Sequence, residues 1–390
     1  MHQCPPAISL PRLFVKFLAF GALAFGGPVA QIAMLRDALV ERERWIDPAR
    51  FNRLLAVLQV LPGPEAHELC VHMGMIARGR IGGLLAGLGF MLPGLVLMLL
   101  AGWAYTAFVA GSAALAAPLL GVQIVVLAVI ARAVVRIGQH VVEGAGLAAI
   151  ALAALLATLG GVPFWIVLAA AGAIHAAGGR RLVVAGVIAV AALLAVLVRP
   201  MTLPDAAPVA TTTPTLWLLF VAGLKGGLLT FGGAYTAIPY VRADTVGRGW
   251  IGDATFLDGI ALAGVLPAPL VIFATFVGYV SGGIGGALAI TAGMFLPAFA
   301  FSLLFFERLE AIVAHPALHA VLNGVAAAVV GIIAATLVGL VTATAGRVSQ
   351  PLVALILFAA ALAVVWRVRG GWVTPAVLAA GALAGAIVTP

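Results

Sequence analysis

The triplet Phe25, Gly26, Gly27 returns as Phe231, Gly232, Gly233, and the residues that follow it return in the same order. Trp45 and Ile46 with Phe51 are matched by Trp250 and Ile251 with Phe256. Leu61, Pro62, Gly63 and Pro64 are matched by Leu266, Pro267, Ala268 and Pro269, and Leu92 with Pro93 by Leu296 with Pro297. The copies stand 206 positions apart at Phe25 and Phe231 and 204 apart at Pro93 and Pro297. Chance identity among apolar residues does not produce an ordered succession of this kind, so the chain is an internal duplication. Any fold it adopts must be built twice from related halves.

Composition decides which solvent those halves face. The chain has 390 residues, of which 64% are apolar and 9% charged, and its mean hydropathy is +1.21. A water-soluble surface needs roughly a quarter of charged residues, so the solvent is lipid. The 21 basic residues and net charge of +8 do not indicate nucleic acid, because they lie in ones and twos between apolar runs. The sequence therefore predicts an all-α polytopic membrane protein. Its spanning segments fall near 13–35, 51–76, 82–109, 114–137, 144–159, 162–177 and 182–198, then 216–238, 256–280, 284–306, 318–341, 351–366 and 372–389, about thirteen in all. Residues 1–200 form the first repeat, 216–390 the second, and the Pro- and Thr-rich stretch 201–215 an extramembrane linker.

Arg12 and Lys16 before an apolar run imitate a signal peptide, but a near-copy of the run recurs around Phe231, which marks it as a first membrane helix. With the N-terminus cytoplasmic, Arg78 and Arg80, Arg132 and Arg136, Arg180 and Arg181, Arg242 and Arg248, and Arg367 and Arg369 all fall inside. The exception is the 36–53 loop, five Arg against four acids, which this count places outside. Seven segments before the linker is an odd number, so the second half enters from the opposite side and the repeat is inverted. Inverted repeats hold substrate at the midplane between them. The location expected is a bacterial inner membrane. Oligomeric state is open, a homodimer included.

Gly-Gly and Pro-Gly-Pro at matching depths mark breaks in the spanning helices, tolerated in a bilayer only where buried or lining a cavity. Pro28 suits the first turn of a new half-helix, and its free N–H groups would offer an anion site among Phe25, Gly26, Gly27 and Pro28. Pro62, Gly63 and Pro64 read the same way, as do Phe231, Gly232, Gly233, Pro267 and Pro269 in the second copy. The alternative is that the glycines only let helices pack closely. Glu65, in the first turn after Pro64, is a proton-coupling candidate that would compete with a bound anion; otherwise it is a solvated acid near a helix cap. Lys225 stands nine positions into its apolar run, about 14 Å deep. A lone ammonium there costs roughly 2.5 to 3.5 kcal/mol, so an anionic substrate or an internal acid should compensate it.

Other features point away from chemistry. Cys4 and Cys70 have neither metal nor disulfide spacing. His315 and His319 are separated by Pro316 and lack a second pair, and His67 and His72 lie near only Glu65 and Glu68, so no metal is expected. Arg132 and Arg136 read as an anchored helix end. No phosphate-binding loop is present, so no nucleotide or other cofactor is expected and transport would depend on an ion gradient or on the anion's own gradient. A membrane enzyme would need a titratable cluster at one face, for which only the segment holding Glu65, His67, Glu68 and His72 offers material; an anion channel is the remaining class.

The stretches FGALAFGGP at 20–28, LPGPEA at 61–66, GLKGGLLTFGGAY at 223–235 and VLPAP at 265–269 resemble the chromate ion transporter family in its long, two-domain form, over nearly the whole chain. The resemblance implies chromate efflux driven by membrane potential or proton gradient, chromate resistance, antiparallel halves, and no enzymatic step. Chromate is a tetrahedral dianion like sulfate, which leaves a sulfate or other oxyanion carrier, importing or exporting, as the rival. Ala268 in place of the second LPGP glycine, and His67 with Glu68 where polar uncharged residues are common, are departures that bear on substrate preference and coupling.

Overall fold

The computed structural model describes residues 8–25, 27–58, 61–198, 213–230, 234–305, 316–368, 370 and 372–388, and among them it has helices and no strand. The first half carries α1 (Leu10–Ala22), α2 (Gly27–Arg36), α3 (Pro48–Leu58), α4 (Glu65–Ala104), α5 (Ala113–Val141), α6 (Ala145–Leu159), α7 (Phe164–Ala176) and α8 (Arg181–Val198). The second carries α9 (Leu216–Leu228), α10 (Ile238–Thr245), α11 (Asp253–Val265), α12 (Phe273–Phe305), α13 (Pro316–Ala345), α14 (Pro351–Arg367) and α15 (Val373–Val388). Each of the thirteen apolar segments coincides with one or two of these helices.

Both long central helices are hairpins. Arg78 and Gly79 leave the helical region in α4, as Gly282 and Gly283 do in α12, with Gly79 at φ +62° and Gly283 at φ +64°. The backbone of Gly74 lies against that of Gly82, and Gly278 against Gly286. Residues eight apart in a straight helix are separated by about 12 Å, so the chain reverses at each glycine pair. Thr275 and Thr291 Oγ1 meet across the second hairpin at 2.6 Å.

The second legs of these hairpins, 80–104 and 284–305, cross each other. Gly83 faces Leu303 and Gly87 faces Phe299, so numbering rises on one helix as it falls on the other, while Gly102 meets Tyr279 of the first leg of α12. Equivalent helices that run antiparallel are the signature of an inverted repeat. The halves also exchange partners: α5 packs on α14 and α15, while its counterpart α13 packs on α6 and α7. Gly121 lies against the backbone of Gly381 and Gly385. Gly121→Ala should therefore cost about 2 kcal/mol through overpacking and lower the thermal midpoint in detergent. Gly146→Ala, facing open space, should leave it unchanged.

Where α1 breaks, the chain turns back instead of running through. At 13 residues α1 is about 20 Å long, short of the ~30 Å apolar core. Lys16 pairs with Glu43, and the Phe17 and Trp45 rings lie 6.3 Å apart. The 36–53 loop, placed outside by the sequence count, thus returns toward the end from which α1 starts, and its excess of arginine no longer conflicts with a cytoplasmic N-terminus. In the second half Gly226 meets Val241 and Lys225 meets Asp244, so α10 folds back along α9. That reversal turns Arg242 and Arg248 back toward the end at which α9 starts, where Arg242 is held by Asp253 at 2.6 Å and Arg248 by Asp244 at 3.3 Å.

Among the described residues, helix α8 has no counterpart in the second half. Its described side chains are largely exposed, Leu182 at 90%, Val196 at 64% and Leu197 at 62%, and its main neighbour is α7. Apolar exposure on that scale fits a helix surrounded by lipid.

Candidate functional site

Every break foreseen among the described residues lies at a point of reversal or between helices, and the breaks meet crosswise. Leu23 to Phe25 are non-helical and α2 restarts at Gly27, φ +80°, with Pro28 in its first turn. Phe25 is 44% exposed. Gly26 and the counterpart triplet Phe231, Gly232, Gly233 lie outside the described residues, but α9 ends at Leu228 and a short 3-10 turn, Ala234–Ala237, leads into α10.

The loop of Pro62, Gly63 and Pro64 joins α3 to α4. The Gly63 N–H donates to the Thr230 carbonyl at 2.8 Å, directly before the second-half triplet. The mirror contact runs through Gln31 of α2, whose Nε2 donates to Ala24 O at 2.9 Å and to Ala268 O at 3.0 Å. Ala268 lies between Pro267 and Pro269, so each half's proline loop rests against the other half's glycine break. Both polar contacts are buried, Gln31 at 1% and Thr230 at 0% exposure.

The two crossings carry one methyl group each, on opposite partners. Gly63 stands against Ala298 in the first, and Ala268 against Gly94 in the second. By the repeat spacing these are equivalent pairs with glycine and alanine exchanged, which gives the departure at Ala268 its physical reason. Gly63 has φ +149°, a conformation an L side chain resists, whereas Ala268 has no positive φ.

Pro64 precedes α4 in an extended conformation, and its carbonyl accepts from the N–H groups of His67 at 2.9 Å and Glu68 at 3.0 Å. The N–H groups of Glu65 and Ala66 have no acceptor within the helix, as first-turn geometry dictates. Glu65 is 9% exposed at this mouth, and Glu68, one turn deeper, is fully buried beside the Gly63 α-carbon. His67 packs edge-on between Phe295 and Phe299, with ring centroids 4.9 and 4.7 Å away. His72 faces Ser302 Oγ at 3.2 Å.

Lys225 is not a lone cation. Its Nζ lies 2.7 Å from Asp244 Oδ2 and 3.0 Å from Oδ1, and 5.7 Å from the Phe164 ring centroid. Asp244 supplies the compensation for which an anion was one candidate.

A polar network at the edge of this core was not read from the sequence. Asp258 of α11, 3% exposed, accepts from Tyr105 Oη at 2.8 Å and Gln123 Nε2 at 2.8 Å. Arg347 donates to Gln123 Oε1 at 2.8 Å. These four residues tie α4, α5, α11 and the end of α13 together. Asp258→Asn would replace one accepting oxygen by an amide NH2 and make the Tyr105 hydroxyl reverse to accept, so we expect a loss of about 1 kcal/mol of stability in a thermal scan.

The sequence profile described as "Chromate transporter" matches residues 11–176 and again 217–386. A chromate transport protein of Pseudomonas aeruginosa is 54% identical over 392 residues, spanning 99% of this chain and 94% of the relative. A chromate transport protein of Cupriavidus metallidurans is 30% identical over 365 residues, spanning 91% and 88%. No solved structure matches the chain.

Proposed function

Because this chain belongs to the chromate transporter family, we propose that it exports chromate from the cytoplasm through the crossed breaks of its two halves, drawing on membrane potential or a proton gradient. The observation that carries this reading is the buried reciprocal contact of Gly63 with Thr230 and of Ala268, through Gln31, with Ala24. Reversal points entering from opposite sides meet there, so a small shift of one half against the other can open the junction to either face.

The proposed anion contacts are the open N–H groups of the α4 and α2 first turns, around Phe25 to Pro28 and Pro62 to Pro64, with their counterparts at Phe231 to Gly233 and at Pro267 and Pro269. Helix N-termini suit a doubly charged oxyanion. Lys225 joins them by exchanging Asp244 for the anion. Glu65, at the mouth, competes with the anion when ionised and admits it when protonated. Glu65→Gln should therefore flatten the pH dependence of transport; an unaltered pH profile would remove Glu65 from this role.

In a cell the protein would sit in the inner membrane with its N-terminus inside and would raise tolerance to chromate. The deciding experiment is chromate movement in proteoliposomes of purified protein, with sulfate as competitor. Chromate transport that sulfate suppresses only in large excess is expected. Sulfate transport without chromate transport would overturn the substrate, and non-saturable flux would replace the carrier by a channel.

A further inference from the structure

Glu68 is the most conspicuous group that this reading leaves without a task. It is 0% exposed, and neither carboxylate oxygen has a hydrogen-bond partner. A side chain in that state is costly as an anion, because burial removes water and nothing replaces it. Among the described residues no lysine or arginine pairs with it, and the groups on the elements around it are uncharged or acidic. On its own helix these are Glu65, one turn nearer the mouth, His67, turned between two phenylalanines, and His72, turned to Ser302. The crossing leg of α12 offers Phe295, Ala298, Phe299 and Ser302, and the loop above offers Gly63. Lys16 and Lys225 are engaged elsewhere, with Glu43 and Asp244.

The second half repeats the hairpin but not the chemistry. The positions equivalent to Glu65, His67, Glu68 and His72 are Leu270, Ile272, Phe273 and Val277, so the shared fold does not require a carboxyl here. Glu68 is kept against a burial penalty in one copy alone, and its Oε1 fills the space that a side chain at Gly63, the residue whose N–H joins the two halves, would occupy.

We propose that Glu68 is the proton-binding site that couples transport to the proton gradient, with Glu65 as its relay to water. This rests on the chromate reading above. With the halves joined at Gly63, Glu68 holds its proton as a neutral carboxyl. When the junction opens, the Glu68 O–H bond breaks and the proton passes to the Glu65 carboxylate, which hands it to water. The Glu68 anion then persists only while water reaches it, so the junction recloses once a proton returns.

Proteoliposomes loaded with a pH-sensitive dye provide the test. Wild type should move protons when a chromate gradient is imposed. Glu68→Gln, a permanently neutral mimic of the protonated group, should lower that proton movement at least tenfold while labelled chromate still exchanges. Proton movement retained by Glu68→Gln, or chromate transport by wild type with no protons, would overturn the assignment of Glu68 alone. No chromate movement by wild type would overturn the underlying reading. Should Glu68→Gln fail to fold, infrared difference spectra of Glu65→Asp, which keeps the relay carboxyl but shifts its own band, decide the matter. A protonated-carboxyl band that changes on adding chromate is expected, and its absence would overturn the proposal.

Discussion

Gly63→Ala should reduce chromate transport by about a hundredfold while leaving a protein that inserts into the membrane. Alanine would have to hold the left-handed side of the Ramachandran map, at roughly 1 to 2 kcal/mol. Its β-carbon would also meet the Glu68 carboxylate and lie 3.4 Å from Ala298 Cβ, and crowding of this kind costs roughly 1 to 3 kcal/mol. About 3 kcal/mol against the joined state is about a hundredfold in its population. The exchanged glycine and alanine of the second crossing supply a control. Gly63→Ala with Ala298→Gly should stay close to the single variant, because the 3.4 Å approach to Ala298 is ordinary contact and neither the φ nor the overlap with Glu68 is relieved. Initial rates in proteoliposomes, normalised to inserted protein, would measure both; a fully active Gly63→Ala would show that the loop is not part of the transport path.

Asp244→Leu should cost about 3 kcal/mol, the penalty of an unpaired ammonium at membrane depth, seen as lost yield and a lowered thermal midpoint. Removing the lysine as well, in Lys225→Met with Asp244→Leu, should restore most of the fold, because the ammonium at membrane depth is gone and Arg248, the other partner of Asp244, keeps its place over the Trp250 ring. Transport by that double variant then decides what Lys225 does. If the lysine exchanges Asp244 for substrate, the well-folded double variant transports at least tenfold more slowly. If it transports normally, the pair is structural and Lys225 leaves the site.

The sequence made the helices, the duplication and the positions of the breaks readable, because lipid burial and helix interruption are written in local composition. Direction was not. Hydropathy assigns the same apolar run to a segment that crosses and to one that turns back, and only contacts such as Lys16 with Glu43 and Gly226 with Val241 separate them. The partner of Lys225 was hidden for a similar reason: Asp244 stands 19 positions on, in a stretch that local reading assigns to a loop. Gln31 and Asp258 gave only a faint signal, a polar side chain in apolar surroundings, since their partners lie 237 and 135 positions away. Glu65, by contrast, was marked out by its place after Pro64, and Glu68 by its departure from polar uncharged residues.

Helix α8 contributes little packing and no polar group to the junction, yet the crossing depends on it. It changes the parity of the chain before the second copy begins. A polypeptide with a single copy would have to be inserted in both senses, in equal numbers, to assemble the same crossed pair. Fusion through one lipid-facing helix fixes the ratio at one to one and assigns each copy a permanent side. Each is then free to specialise, as one has with Glu65 and Glu68 and the other with Lys225 and Asp244.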